Sequence, residues 1–239
     1  MAYWILKAVL TPILHVLYRV RVEGREHLPQ SGAYILAANH RSFLDSIFLP
    51  LVIRRRVTFV AKAEYFDDKR TAWFFRAMGQ IPIRRTGGSA SEGALAAATE
   101  VLENGGVFAI YPEGTRTRDG YLHRGKTGVA RLALATGAPI VPVGMVGTDE
   151  CQPADRRLPR VFRTVWVRFG PPVRAERAGP AGDDRLLLRQ ITDEVMYEVR
   201  ELSGYAYVDT YASRPGADAD SGGHDVVEAP AAVVTPLAS

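Results

Sequence analysis

Tyr34-Ile35-Leu36-Ala37-Ala38-Asn39-His40-Arg41-Ser42-Phe43-Leu44-Asp45-Ser46-Ile47-Phe48-Leu49 decides the fold, because two apolar runs of different period meet inside it. Tyr34 to Ala38 is a short continuous apolar stretch after Gly32, which reads as a buried strand, whereas Phe43-Leu44 and Ile47-Phe48-Leu49 have helical spacing. His40 then stands at a strand-to-helix junction. In an open α/β sheet, sites collect at the carboxyl ends of strands, where loops and helix N-termini converge.

Asp45 follows His40 by five residues, and on one continuous helix that spacing would set the two side chains about 140° apart. They can meet if the helix begins between them. Ser42 is the natural N-cap, which leaves His40 ahead of the helix and puts Asp45 at its third position, able to turn back towards the imidazole. Such a pair makes a general base and its orienting carboxylate. The same residues also fit a plain capping box beside a polar loop histidine.

Upstream, Tyr3 to Tyr18 is strongly apolar but interrupted by Lys7, Pro12 and His15. It falls short of the roughly 20 residues that span a bilayer. It also lacks the basic start, unbroken apolar stretch and small-residue cleavage site of a signal peptide. Tyr3, Trp4 and Tyr18 near its ends, followed by Arg19, Arg21 and Arg25, have the pattern of an interfacial anchor facing anionic lipid. A core helix kinked at Pro12 is the competing reading.

The chain has 239 residues, 47% hydrophobic content and a net charge of +4, enough for one domain with a real core. From residue 206 onward five acidic residues face Arg214 alone, so the preceding body carries +8. That balance suits nucleic acid, an anionic membrane or phosphorylated substrates without choosing among them. Cys151 is the only cysteine, which excludes an intrachain disulfide and a cysteine metal cluster and makes a reducing compartment the expectation.

Downstream, short strands alternate with helices. Arg19 to Glu23 alternates as a strand, and Arg54-Arg55-Arg56 precedes a buried strand over 57–60 that leads to Lys62, a phosphate ligand or a solvated charge. An apolar helix through Trp73 and Phe75 stops at Gly79. The strand Gln80-Ile81-Pro82-Ile83-Arg84-Arg85 runs into Thr86-Gly87-Gly88, where guanidinium forks and free amides make a plausible phosphate cradle; Pro82 places it near an edge. After a helix over 90–104, the strand Val107 to Tyr111 runs into Pro112-Glu113-Gly114-Thr115-Arg116, where Gly114 permits a sharp turn between a carboxylate and a guanidinium.

A polar loop with His123, Arg124 and Lys126 follows, then a helix over 129–136 and a buried strand from Pro139. Residues 149–160 read as polar and irregular, 161–169 as an alternating strand. A last helix from Asp183-Asp184 keeps Leu187, Ile191, Val195, Val199 and Leu202 on one face. The pattern predicts a mainly parallel central sheet with helices on both faces. It divides into an N-terminal interfacial helical segment (1–18), an α/β domain (19–204) and a disordered C-terminal tail (205–239).

The order His40-x4-Asp45, Gly79 to Arg85, Tyr111 to Arg116, then Ala138 to Val143 resembles the four ordered blocks of the glycerolipid acyltransferase family, in its bacterial 1-acyl-sn-glycerol-3-phosphate acyltransferase form. The resemblance covers roughly Arg19 to Gly170. It implies that His40 takes the proton from an acceptor hydroxyl while Asp45 orients the ring. Arg85 and Arg116 would grip the acceptor phosphate, with Arg84 as a second candidate beside Arg85. Glu113 would position the acceptor or hold its loop with Gly114 and Thr115, and Lys62 and Lys126 match basic positions of relatives. Tyr111 departs from the phenylalanine more usual there.

The implied reaction moves a fatty acyl group from acyl-CoA or acyl-carrier protein to the free hydroxyl of a lysophospholipid, lysophosphatidate first, giving phosphatidate. It needs neither cofactor nor metal. The enzyme would sit on the cytoplasmic face of the cell membrane, peripheral or monotopic, with no nucleic-acid partner. No cysteine or Gly-x-Ser-x-Gly elbow is placed as a nucleophile, which favours direct attack on the thioester. General-base help contributes roughly 3 to 5 kcal/mol and alignment of two reactants roughly 7 to 11, so positioning is the larger task. Backbone amides near the Gly114 loop or the Ser42 helix start are candidate oxyanion donors. Another lysolipid acceptor, or a non-catalytic lipid-binding protein, are the alternatives; a metal-dependent hydrolase lacks a completing ligand cluster.

Overall fold

The apolar run after Gly32 forms a strand with neighbours on both sides, and its residues alternate between two cores. The computed structural model describes residues 1–83, 89–153, 158–176 and 184–213. In chain order the elements are α1 (Ala2–Leu17), β1 (Arg19–Glu23), a 3-10 turn (Arg25–His27), β2 (Tyr34–Ala38), α2 (Asp45–Val52), β3 (Val57–Thr58), β4 (Val60–Lys62), α3 (Glu64–Asp67), α4 (Lys69–Ala77) and β5 (Ile81–Ile83). They continue with α5 (Ser89–Glu103), β6 (Val107–Ile110), β7 (Leu122–His123), α6 (Gly128–Thr136), β8 (Ile140–Val146), α7 (Thr148–Cys151), β9 (Thr164–Phe169), α8 (Asp184–Ser203) and β10 (Tyr207–Val208).

The main sheet has the order β1-β9-β8-β2-β6-β3, and every neighbouring pair is parallel except β8 with β9. Leu36 and Ala38 of β2 face a core with Phe48 and Leu49 of α2, while Ile35 and Ala37 face another with Val129 and Ala133 of α6 and Val195 and Val199 of α8. A strand buried on both faces must be apolar at every position, which is why β2 shows no polar alternation. Helices thus cover both faces, as the sequence pattern predicts. Two smaller parallel pairs, β4 with β5 and β7 with β10, lie outside the main sheet.

α1 lies on the α2 side. Tyr3 and Tyr18 are buried, Tyr18 packing edge-on to Phe48 with ring centroids 5.2 Å apart. Lys7 Nζ donates to the carbonyls of Pro50 and Ile53, capping the end of α2, and burial lowers its pKa to about 8. The other face of α1 exposes Trp4, Ile5, Val9, Ile13 and Val16. Among the described residues, no helix is long and apolar enough to cross a membrane.

Three sequence expectations need correction. The 57–60 run is not one strand: β3 pairs in the main sheet, and β4 leaves it to pair with β5, consistent with Pro82 at an edge. The strand expected over 161–169 begins at Thr164, because residues 158–163 form an exposed loop ahead of it. The structured chain does not end at 204: Tyr207 and Val208 pair with Leu122 and His123. Residues 214–239, the rest of the expected tail, lie outside the described residues.

Candidate active site

His40 follows β2 at its carboxyl end, with the carboxyl ends of the parallel neighbours β6 and β8 on either side. Asn39 fixes the exit from the strand: its amide donates to the Met145 carbonyl (2.9 Å) and its oxygen accepts from the Met145 N–H (2.7 Å). This buried reciprocal pair is invisible in the sequence, since its partner lies 106 residues away.

His40 Nδ1 is 2.9 Å from Asp45 Oδ2, in the contact that the spacing suggests. The same Oδ2 accepts the backbone N–H groups of Arg41 and Ser42, each at 2.8 Å. An oxygen already receiving two N–H donors is not the one that carries a proton, so Nδ1 is the third donor, and in the neutral ring the lone pair is on Nε2. The helix start differs from expectation. α2 begins at Asp45 with Leu44 as its N-cap, and Ser42 Oγ accepts a 3.3 Å bond from the Leu44 N–H and donates to the Gln152 carbonyl at 3.5 Å. The device that turns Asp45 towards His40 is therefore Asp45 itself, reaching back to the amides ahead of its own helix. Those amides are engaged and are not free for an oxyanion.

The second carboxylate braces the first motif from across the sheet. Glu113, fully buried, accepts the His40 N–H on Oε2 (2.9 Å) and the His123 N–H on Oε1 (3.0 Å). The His40 carbonyl in turn accepts the Thr117 N–H at 2.9 Å. The backbone of His40 is thus clamped on both sides by the loop that carries Gly114, Thr115 and Arg116. Of the two roles the resemblance implies for Glu113, holding the loop is the one its contacts serve. Burial pushes its carboxyl up to about 7, opposed by the two amide donors.

Tyr111 supplies the face on which the imidazole rests. Its ring stacks on His40 with centroids 3.8 Å apart and 7° between planes, and Phe59 stacks on Tyr111 in turn at 5.6 Å. Tyr111 and Ser46 share a 2.9 Å hydroxyl–hydroxyl bond, tying the ring to α2. Burial, with the Asp45 charge adding to it, pushes the phenol well above its usual pKa. A phenylalanine would keep the stack and lose the tie.

The basic residues stand around this fixed centre. Arg116 is exposed, one residue before the Thr117 amide that binds His40. The Lys126 side chain lies over Gly114, where a Cβ would come within 3.1 Å of Nζ, and Gly114 holds a positive φ of 75° that favours glycine. Lys62, also exposed, pairs in register with Ile83, so the ends of β4 and β5 lie side by side. Arg84 and Arg85 lie outside the described residues. Arg54 to Arg56 precede β3, at the opposite end of the sheet from His40; Arg55 donates to the carbonyls of Gly32 and Gly105.

Arg41, inside the His-Asp spacing, makes contacts that the sequence does not reveal. Its guanidinium donates to Asp149 Oδ2 (2.8 and 3.2 Å) and to Thr117 Oγ1 (3.3 Å), with the Tyr205 ring 4.7 Å beneath it. Asp149 sits on α7, within the stretch that reads as irregular. Among the described residues, no group of three or more His, Cys, Asp or Glu gathers as a metal site.

A mainly parallel α/β sheet with a His-Asp pair at its centre, braced by a Glu-Gly-Thr-Arg loop, defines a class that the comparisons identify. Residues 19–146 match the Acyltransferase family, to which this chain belongs. It is 30% identical over 220 residues to 1-acyl-sn-glycerol-3-phosphate acyltransferase alpha of Bos taurus, covering 88% of this chain and 75% of that protein. It is 32% identical over 141 residues to a chloroplastic 1-acyl-sn-glycerol-3-phosphate acyltransferase of Arabidopsis thaliana; the match covers 59% of this chain and 39% of that longer protein. The crystal structure of the 1-acyl-sn-glycerophosphate acyltransferase PlsC from Thermotoga maritima superposes with a TM-score of 0.64 at 30% identity, covering 82% of this chain and 76% of that one.

Proposed function

We infer that the protein transfers a fatty acyl group from an acyl thioester, acyl-CoA or acyl-carrier protein, to the free hydroxyl of 1-acyl-glycerol-3-phosphate, forming phosphatidate. The observation that carries this reading is the clamped His40. Its Nδ1 is held by Asp45 and its backbone by Glu113 and Thr117, so Nε2 is the nitrogen left to act. In the proposed step Nε2 accepts the acceptor's hydroxyl proton as the oxygen attacks the thioester carbonyl. Collapse of the tetrahedral intermediate breaks the C–S bond, and the imidazolium returns its proton to the leaving thiolate. No acyl-enzyme and no cofactor is needed.

The acceptor phosphate is assigned to Arg116 and Arg85, with Lys126, Lys62 and Arg84 as further cations near it, and Gly114 and Thr115 shaping the loop. The names of the relatives support this acceptor. α1 and its exposed apolar stripe support a peripheral seat on a membrane, which we place on the cytoplasmic face. The domain division follows the same reading: an interfacial segment before residue 19, then the catalytic body.

The test is an acyl-transfer assay with the purified chain, both donor types and a panel of lysolipids, read as free thiol released. Lysophosphatidate is expected to be the best acceptor, and His40→Ala to lower turnover about 10²- to 10⁴-fold with the melting temperature retained. A folded His40→Ala that turns over normally removes the base assignment. Indifference to the acceptor phosphate removes lysophosphatidate.

A further inference from the structure

Residues 158–163, Leu-Pro-Arg-Val-Phe-Arg, lead into β9 as the last part of the connection from α7, and all six are exposed. Leu158 is 82% exposed and Phe162 67%, with Val161 between them. Phe162 is the one non-glycine among the described residues with a positive φ, 62°. A bulky side chain rarely adopts that conformation, and strain of this kind persists where the surroundings impose it. Here the Phe162 N–H is held by the Leu17 carbonyl at 2.6 Å, and the Arg160 N–H by the Cys151 carbonyl at 2.6 Å. The loop is pinned with its apolar side chains in water, which costs stability and needs a compensating use.

Its position limits what that use can be. β9 runs antiparallel to β8, and β8 runs parallel to β2, so the start of β9 lies at the same end of the sheet as His40. β8 alone separates β9 from β2 in the strand order, so β9, which the loop enters, lies about 10 Å to the side of the strand that leads to His40. Through Leu17 it adjoins the end of α1, where Ile13 and Val16 are also exposed. The apolar stripe of α1 therefore continues onto the loop, at the end of the sheet that carries His40. Arg160 and Arg163 interleave with the loop's apolar residues, and Arg19, whose N–H binds the Arg163 carbonyl at 2.9 Å, adds a third exposed cation. Glu150 is the exposed acid on the preceding helix. Apolar tips set among arginines complement the acyl boundary and anionic headgroups of a bilayer.

We propose that the 158–163 loop is a second membrane contact, inserting Phe162 and its apolar neighbours into an anionic bilayer beside the end of α1. Two contacts fix an orientation where one helix leaves rotation free, and this orientation turns the His40 end of the sheet towards the lipid. The proposal rests on the membrane-surface reading of α1 but assigns a separate role to different residues.

The test is partitioning of the full chain onto phosphatidylcholine vesicles with and without phosphatidylglycerol, beside turnover on detergent-dispersed lysophosphatidate. Phe162→Asn suits it, because asparagine tolerates positive φ, so the fold is retained or relaxed. The variant is expected to bind anionic vesicles about tenfold more weakly, with turnover in detergent unchanged. Arg160→Gln with Arg163→Gln is expected to weaken binding only where the vesicles carry anionic lipid. Vesicle binding by Phe162→Asn equal to the parent's overturns the proposal. So does a loss confined to turnover with acyl-carrier protein as donor, which would make the loop a protein-docking surface. Partitioning is read without turnover, so an inactive parent would sink the enzyme reading and leave this one standing or falling alone.

Discussion

The two halves of the site are built on opposite principles. On the side proposed for proton transfer, Asp45 and Glu113 are fully buried, the Asp45 oxygen facing His40 accepts three N–H groups, and both oxygens of Glu113 accept backbone amides. On the side proposed for the acceptor anion, Arg116, Lys62 and Lys126 are exposed long side chains. A base must hold one tautomer at one angle, which favours short, crowded, buried bonds. A phosphate grip needs charge within reach, and cations that stay hydrated avoid the desolvation cost that a buried arginine would carry. The buried half should therefore couple stability to activity, and the exposed half should separate them.

The sharpest way to break that contrast is Asp45→Asn. It puts an amide where three donors converge, so turnover is expected to fall about 10²- to 10⁴-fold and stability by about 3 kcal/mol, read from kinetics and chemical denaturation. A variant with the parent's stability would show that the buried half is not built as described.

Glu113 sharpens the contrast through pH. Its folded pKa of about 7 lies above the ordinary 4.5, so the native state holds the proton longer than the unfolded chain does. Stability is therefore expected to decline as pH rises from about 4.5 to about 7, by about 3 kcal/mol in all, and to level off above. Glu113→Gln should flatten that slope in melting temperature while lowering activity, because one of its two backbone donors then meets an NH2 group. A slope unchanged in Glu113→Gln would assign the pH dependence to another group.

Arg116→Ala should have the smallest effect on the fold, within about 0.5 kcal/mol, since the residue is exposed. Its expected signature is a KM for lysophosphatidate raised about 10- to 100-fold, with less change for an acceptor without phosphate. Equal losses on both acceptors would mean that Arg116 supports the loop instead of the anion.

The order of elements was largely legible, because each rests on local periodicity: the unbroken apolar β2, the glycine stop after α4 and the single apolar face of α8. The His40–Asp45 contact was legible too, since both partners lie within one turn of chain. The role given to Ser42 was not, because cap preference ranks residue types while the helix start follows from what Asp45 accepts. Residues 161–163 misled because the alternation Val161-Phe162-Arg163 continues the period of the strand behind it, while pairing in the sheet begins only at Thr164. The tail from 205 misled likewise: nothing local marks Tyr205 as a partner for Arg41.

What the sequence determined by itself is what repeats at short range: the layers, the strand-to-helix junction that presents His40, and the order of the basic and acidic motifs. What only the tertiary structure decided is which groups meet. Glu113 reaches the His40 amide across 73 residues, and Arg41 reaches Asp149 across 108. Backbone amides are identical along the chain, so a carboxylate's choice among them leaves no mark in composition or spacing. Parallel strand pairing sets the loops of β2, β6 and β8 side by side, and that juxtaposition turns a His-Asp spacing into a clamped imidazole.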